Sequence, residues 1–185
     1  MWLIARAYEV NRDVLGDRNR LMDIVYIETS IVSHATARLS ADPAIAVLQD
    51  QAKRWMNEQA VKYELVTSQI VLTEAARGDP DAASRRLAML ARIPVLGENA
   101  DADRVADTLI SRSIMPKKAR LDALHVATAA LAGVQYLLTQ NCSHIANAHE
   151  LPRVYRLLDE LGLSGLLIAT PIEFLGDTND VESDT

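Results

Sequence analysis

Short apolar, β-branched runs alternate along this chain with stretches whose apolar residues recur at helical spacing. The runs at 24–31, 65–71, 134–139 and 166–170 are strand-like, and 94–97 is a brief strand at most. Between them, Ile45, Leu48, Ala52, Trp55 and Met56 follow an Asp42-Pro43 start and predict a helix over 42–59. A short helical turn at 73–77 is ended by Gly78, and Asp79-Pro80 opens a helix with Ala83, Leu87 and Leu90 on its apolar face. Residues 99–114 and 117–132 read as two consecutive helices, the second Ala-rich and stopped by Gly133, and a last one covers 151–161.

Strands alternating with amphipathic helices predict a mainly parallel sheet covered on both faces. Sheets of that kind collect ligands beyond the carboxyl ends of their strands. The segment 22–176 is read as one domain, 1–21 as an N-terminal appendage and 177–185 as a disordered acidic tail.

Composition narrows the classes. The apolar runs are far shorter than the roughly 20 residues needed to span a bilayer, and no signal-peptide pattern opens the chain, so a soluble cytoplasmic protein is expected. The single cysteine, Cys142, allows no internal disulfide and no cysteine-based metal motif. A net charge of −6 argues against a surface that coats nucleic acid non-specifically, though Arg85, Arg86 and Arg92 form one basic cluster and Lys117, Lys118 and Arg120 another, leading into Asp122.

Four polar residues stand at the ends of apolar runs: Glu28, Glu74, Asp122 and Asn141. Glu28 interrupts Val-Tyr-Ile-Glu-Thr-Ser-Ile-Val, where an unpaired charge is expensive. Taken singly, Asp122 reads more readily as a helix cap and Glu74 as a first-turn dipole partner. Acids gathered at one edge repel each other and become tolerable around a hard cation such as Mg²⁺ or Mn²⁺. Ser30 and Thr139 are candidates to hydrogen-bond such acids, His125 reads as a hydrogen-bonded structural residue, and His144 as either a phosphate contact or a surface-loop residue.

The motifs Tyr26-Ile-Glu-Thr-Ser30, Leu72-Thr-Glu-Ala-Ala-Arg-Gly-Asp79, Leu121-Asp-Ala-Leu-His-Val-Ala-Thr-Ala129 and Tyr136-Leu-Leu-Thr-Gln-Asn141 together resemble the PIN-domain family, VapC-type toxins in particular, over 22–176. The resemblance implies a PIN-like three-layer α/β fold and a Mg²⁺- or Mn²⁺-dependent endoribonuclease, with Glu28, Glu74, Asp122 and Asn141 as metal-binding and catalytic residues. It also implies a cognate antitoxin as partner and a homodimer. Two positions depart from the pattern: Glu28 stands where the family has Asp, and Asn141 keeps an oxygen where the family usually has an acid. The competing expectation is a PIN-like module, weakened in catalysis, that acts by binding RNA or protein. A Mg²⁺ phosphatase or nucleotide-binding enzyme has less support, because the chain lacks a Gly-x-Gly-x-x-Gly turn, a Gly-Lys-Ser/Thr phosphate loop and an Asp-x-Asp after its first strand.

Overall fold

A computed structural model describes residues 22–175. The expected appendage at 1–21 and tail at 177–185 lie outside the described residues. Four strands form one parallel sheet in the order β2-β1-β3-β4: β1 (Ile24–Ile27), β2 (Glu64–Val66), β3 (Tyr136–Leu138) and β4 (Leu167–Ala169). All β1 side chains are buried, as its central place requires. Among the described residues no helix is long and apolar enough to cross a membrane.

Eight α-helices surround the sheet. They are α1 (Thr29–Thr36), α2 (Pro43–Arg54), α3 (Gln69–Ala75), α4 (Pro80–Leu90), α5 (Ala102–Ser111), α6 (Arg120–Ala132), α7 (Leu151–Glu160) and α8 (Ile172–Leu175). Asp42 and Asp79 cap α2 and α4 ahead of a proline, as the sequence predicts. Gly133 ends α6 in the left-handed region at φ 67°, which only glycine adopts without steric cost. Trp55 begins a π-helical continuation of α2 and is fully buried against Tyr63 and Phe174, so it belongs to the core.

Three expectations change. The first apolar run is a strand only to Ile27, because Glu28 turns its side chain onto the Ser30 N–H and starts α1. The second stops at Val66: Ser68 accepts from the Val71 N–H, and Ile70 and Val71 are helical. Glu74 therefore lies in the last turn of α3 and not at a helix start, where the dipole repels an acid instead of favouring it. The run at 94–97 contributes only an isolated bridge between Val95 and Thr67.

Arg85 and Arg86, two members of the first basic cluster, hold neighbouring helices. Arg85 donates to the Thr36 carbonyl at the end of α1 (3.2 Å), and Arg86 to the Ala75 carbonyl at the end of α3 (2.9 Å) and to the Arg77 carbonyl (2.5 Å). Cations at carbonyl-rich helix ends are favourable; Arg85 fastens α1, and Arg86 fastens the helix that carries Glu74.

Candidate metal centre

Glu28 leaves the carboxyl end of β1, its backbone N–H bonded to the Leu138 carbonyl of β3 (3.2 Å). Its side chain is 4% exposed. One oxygen, Oε2, accepts from the Ser30 N–H (3.0 Å), the Ser30 hydroxyl and the Thr139 hydroxyl (2.8 Å). The Ser30 hydroxyl in turn accepts from the Gln140 N–H (2.8 Å), so β1 and β3 share one polar seam. Capping thus occupies one oxygen of Glu28, and Oε1 has no protein partner among the described residues.

Glu74 is half-buried and reaches the same edge from α3. Its Oε2 accepts from the Thr29 hydroxyl (2.5 Å) and lies 3.0 Å from Nε2 of His125; its Oε1 has no protein partner among the described residues. An ionised carboxylate only accepts, so the His125 proton sits on Nε2. Nδ1 then accepts from the Tyr26 hydroxyl (2.9 Å), which is 2.6 Å from the Ser68 hydroxyl. Every member of this buried chain is satisfied with one tautomer. His125 is 1% exposed, which bears out the structural reading, while its role as the donor to Glu74 was not visible in sequence. Thr29 went unremarked for the same reason.

Burial alone would raise the Glu74 carboxyl, but hydrogen bonds from His125 and Thr29, with the charge of Arg77, outweigh it and hold it below its ordinary value. Burial pushes the Tyr26 hydroxyl up, against its bond to Ser68 and with the charges of Glu28 and Glu74 adding, so it keeps its proton.

Asp122 is in the first turn of α6 but does not cap it; Ala119 takes that position with no side-chain bond. Its oxygens are held from β3 and the loop beyond. Asn141 Nδ2 donates to Oδ1 (3.0 Å) and His144 Nδ1 lies 2.9 Å from Oδ2. The other end of the Asn141 amide, Oδ1, accepts from the His144 N–H (3.1 Å). The residue where the family pattern has an acid here supplies a donor to its neighbouring acid, which a second carboxylate cannot do. Burial raises the Asp122 carboxyl; His144 opposes that, and the charge of Glu28 adds to it.

The four predicted residues therefore meet as two pairs. One carboxylate oxygen each of Glu28 and Glu74, with a ring nitrogen of His125, lie within 4.8 Å of one another. Asp122 and Asn141 form the second pair. The donor set fits a hard cation: Glu28 and Glu74 each have one oxygen fixed and one free, and no protein cation pairs with Glu28 among the described residues. His125 spends its Nε2 proton on Glu74 and is a support to that ligand, not a ligand itself.

No family profile and no curated protein sequence matches this chain. Among solved structures, VapBC2 from Rickettsia felis, bound to a DNA fragment from its promoter, contains a chain that superposes with a TM-score of 0.52 at 16% identity, covering 80% of this chain and 98% of that one. VapC20 of Mycobacterium tuberculosis, a sarcin-ricin loop cleaving toxin, gives a TM-score of 0.47 at 22% identity over 61% and 86% of the two chains. VapBC-1 from nontypeable Haemophilus influenzae gives 0.47 at 16% over 80% and 98%. The likeness to the Rickettsia structure is one of fold, and with the parallel four-stranded sheet it makes this chain PIN-like in architecture.

Proposed function

We propose that this protein is a Mg²⁺- or Mn²⁺-dependent endoribonuclease, the toxin of a type II toxin–antitoxin pair. The observation that carries this reading is the meeting of Glu28 and Glu74 at the carboxyl edge of the sheet, each with one oxygen fixed by the protein and one left free. The VapC-like motifs and the fold shared with a VapBC chain support the choice of RNA as substrate. A bound divalent cation would supply Lewis-acid charge to the phosphodiester and favour ionisation of an attacking water.

The chain's own residues do the rest. Glu28 and Glu74 would hold the cation, with Asp122 as the third acid of the set. Asn141 and His144 fix the Asp122 carboxylate, so Asn141 contributes to the site by orientation while its oxygen remains a potential weak ligand. Nε2 of His144 has no protein partner among the described residues and can exchange a proton with the leaving oxygen. Leu39, Ile45 and Val47 are exposed apolar residues on and before α2, and they support an antitoxin contact or a homodimer on that side.

The test is incubation of purified protein with structured RNAs, with and without Mn²⁺, beside an Asp122→Ala variant. Cleavage that requires both metal and Asp122 is expected; its absence on every RNA overturns the reading. A second reading, a binding module without turnover, is favoured by one observation: both oxygens of Asp122 are already engaged within the protein. Calorimetric titration with Mn²⁺ separates the two, because a pure binding module shows no uptake dependent on Glu28.

A further inference from the structure

A groove of about 510 Å³ runs between the 112–119 connection and the 139–150 loop, lined among others by Ile110, Pro116, Lys117, Lys118, Ser143 and His144. We propose that it is the subsite for the RNA phosphate adjacent to the scissile one, gripped by Lys117 and Lys118. This rests on the ribonuclease reading and extends it to how the substrate lies.

Position comes first. His144 stands in the groove wall and touches Asp122 through Nδ1 at 2.9 Å, so one side chain separates the groove from that acid.

Charge selects the two lysines. Arg120, the third member of the basic cluster, is committed to Asp103 (2.5 Å) and Asp107 (3.0 Å). Lys117 and Lys118 are exposed and have no anionic partner among the described residues. Glu150, the carboxylate on the groove wall, is bound by Arg153 at 2.9 Å. Two uncompensated cations thus face one groove in a chain of net charge −6.

The lysines are also pre-positioned. Arg153 donates to the Ser113 carbonyl (2.9 Å) where the backbone turns through φ 53°, and the Ile114 and Met115 N–H groups both return to the Leu109 carbonyl (3.0 and 3.2 Å). Lys117–Ala119 is a 3₁₀ turn on that anchored base. Ile110 and Pro116 offer apolar surface for a ribose or base beside the phosphate.

The other side of the site is less suited to phosphate. A groove of about 650 Å³ beyond Glu74 sets Glu74 and Glu98 against one cation, Arg77, while its Asp103 is paired with Arg120. The strand therefore enters or leaves past Lys117 and Lys118.

The test uses fluorescence anisotropy of a labelled RNA hairpin with the parent protein in EDTA, a Lys117→Ala/Lys118→Ala variant and a control, Lys62→Ala/Arg92→Ala, that removes the same charge elsewhere. The groove variant is expected to bind roughly ten-fold more weakly and to lower the slope of log K against log salt by about 0.7 to 0.9, the loss of one neutralised phosphate. The control keeps both values near the parent's. In Mn²⁺, single-turnover cleavage should show the same rise in half-saturating enzyme with an unchanged plateau rate. Groove and control variants that behave alike, or a parent that binds no RNA, overturn the proposal. So does poly-glutamate competing as well as RNA, which would assign the groove to an acidic protein segment. Metal-dependent cleavage with an indifferent groove variant sinks the subsite alone; RNA binding that depends on the lysines without any cleavage sinks the ribonuclease reading alone.

Discussion

Asn141→Asp restores the acid that the family pattern has at this position, and it should make the protein less stable without metal. Two effects add. The hydrogen bond that Asn141 donates to Asp122 at 3.0 Å is lost; bonds to charged groups are worth about 1.5 to 3 kcal/mol. A like charge then faces Asp122 at that separation, where Coulomb's law gives about 5 kcal/mol at an effective dielectric of 20 and about 3 at 40. Asp122 is 21% exposed, so the new carboxylate can swing toward water and relieve most of this. A net loss of about 2 kcal/mol at neutral pH remains, or about 4 to 8 °C in Tm for a domain of this size. The pair also raises the folded-state pKa of one acid, so the penalty is full above that value and disappears as pH falls below it. Adding Mn²⁺ changes the sign, because the extra charge tightens the cation; the variant should gain more in Tm than the parent does. Thermal melts in EDTA and in Mn²⁺, with Asn141→Ala as the neutral control, provide the measurement. An Asn141→Asp protein that melts within about 1 °C of the parent in EDTA, or gains no more from Mn²⁺, refutes the placement of the amide against Asp122.

His125→Ala opens a cavity and leaves the Tyr26 hydroxyl and Glu74 each short of a partner, which should cost about 2 to 4 kcal/mol by urea denaturation; a loss under 1 means the buried chain is not formed. Thr139→Val keeps the volume but removes the hydroxyl that donates to Glu28 and accepts from the Asn141 N–H, so about ten-fold weaker Mn²⁺ binding is expected in calorimetry, with unchanged affinity as the refuting result. Glu74 and Asp122 should respond oppositely to pH. The depressed Glu74 carboxyl stabilises the fold above its unfolded pKa and loses that contribution as pH falls through its folded value; the raised Asp122 carboxyl favours the fold in acid and ceases to as pH rises through its folded value. Glu74→Gln should therefore melt below the parent at neutral pH and approach it in acid, whereas Asp122→Asn should melt above it at neutral pH; melts across the pH range that reverse these orders refute the assignment.

The four strands were legible because each is a short apolar run bounded by polar residues. Their ends were not. Thr29, Ile31, Val32, Ile70 and Val71 are β-branched or apolar residues continuous with strands in sequence, yet all are helical, because Glu28 and Ser68 bond to the N–H groups that follow them. A run of four to eight such residues carries too little periodicity to separate strand from helix. The candidate acids were legible as charges that interrupt burial. What they bond to was not, since the partners come from far along the chain: Tyr26 meets His125 across 99 residues and Thr29 meets Glu74 across 45. One sequence signal did exist. A histidine amid the apolar Leu-Asp-Ala-Leu-His-Val-Ala run must find partners for two nitrogens inside the core, and the structure places Tyr26 and Glu74 at them.

The register that sets Ile27 beside Leu138 brings the Thr139 hydroxyl to Glu28 across 111 residues of chain. During synthesis, β1 leaves the ribosome with one open side and waits for a partner made late. Until β3 follows, a nascent chain holds Glu28 without the hydroxyl that steadies it and lacks Asn141 altogether. Fragments left by premature termination anywhere before Thr139 therefore carry at most the three acids, without the hydroxyl and amide that hold two of them, and the four residues are brought together only once most of the polypeptide has been made.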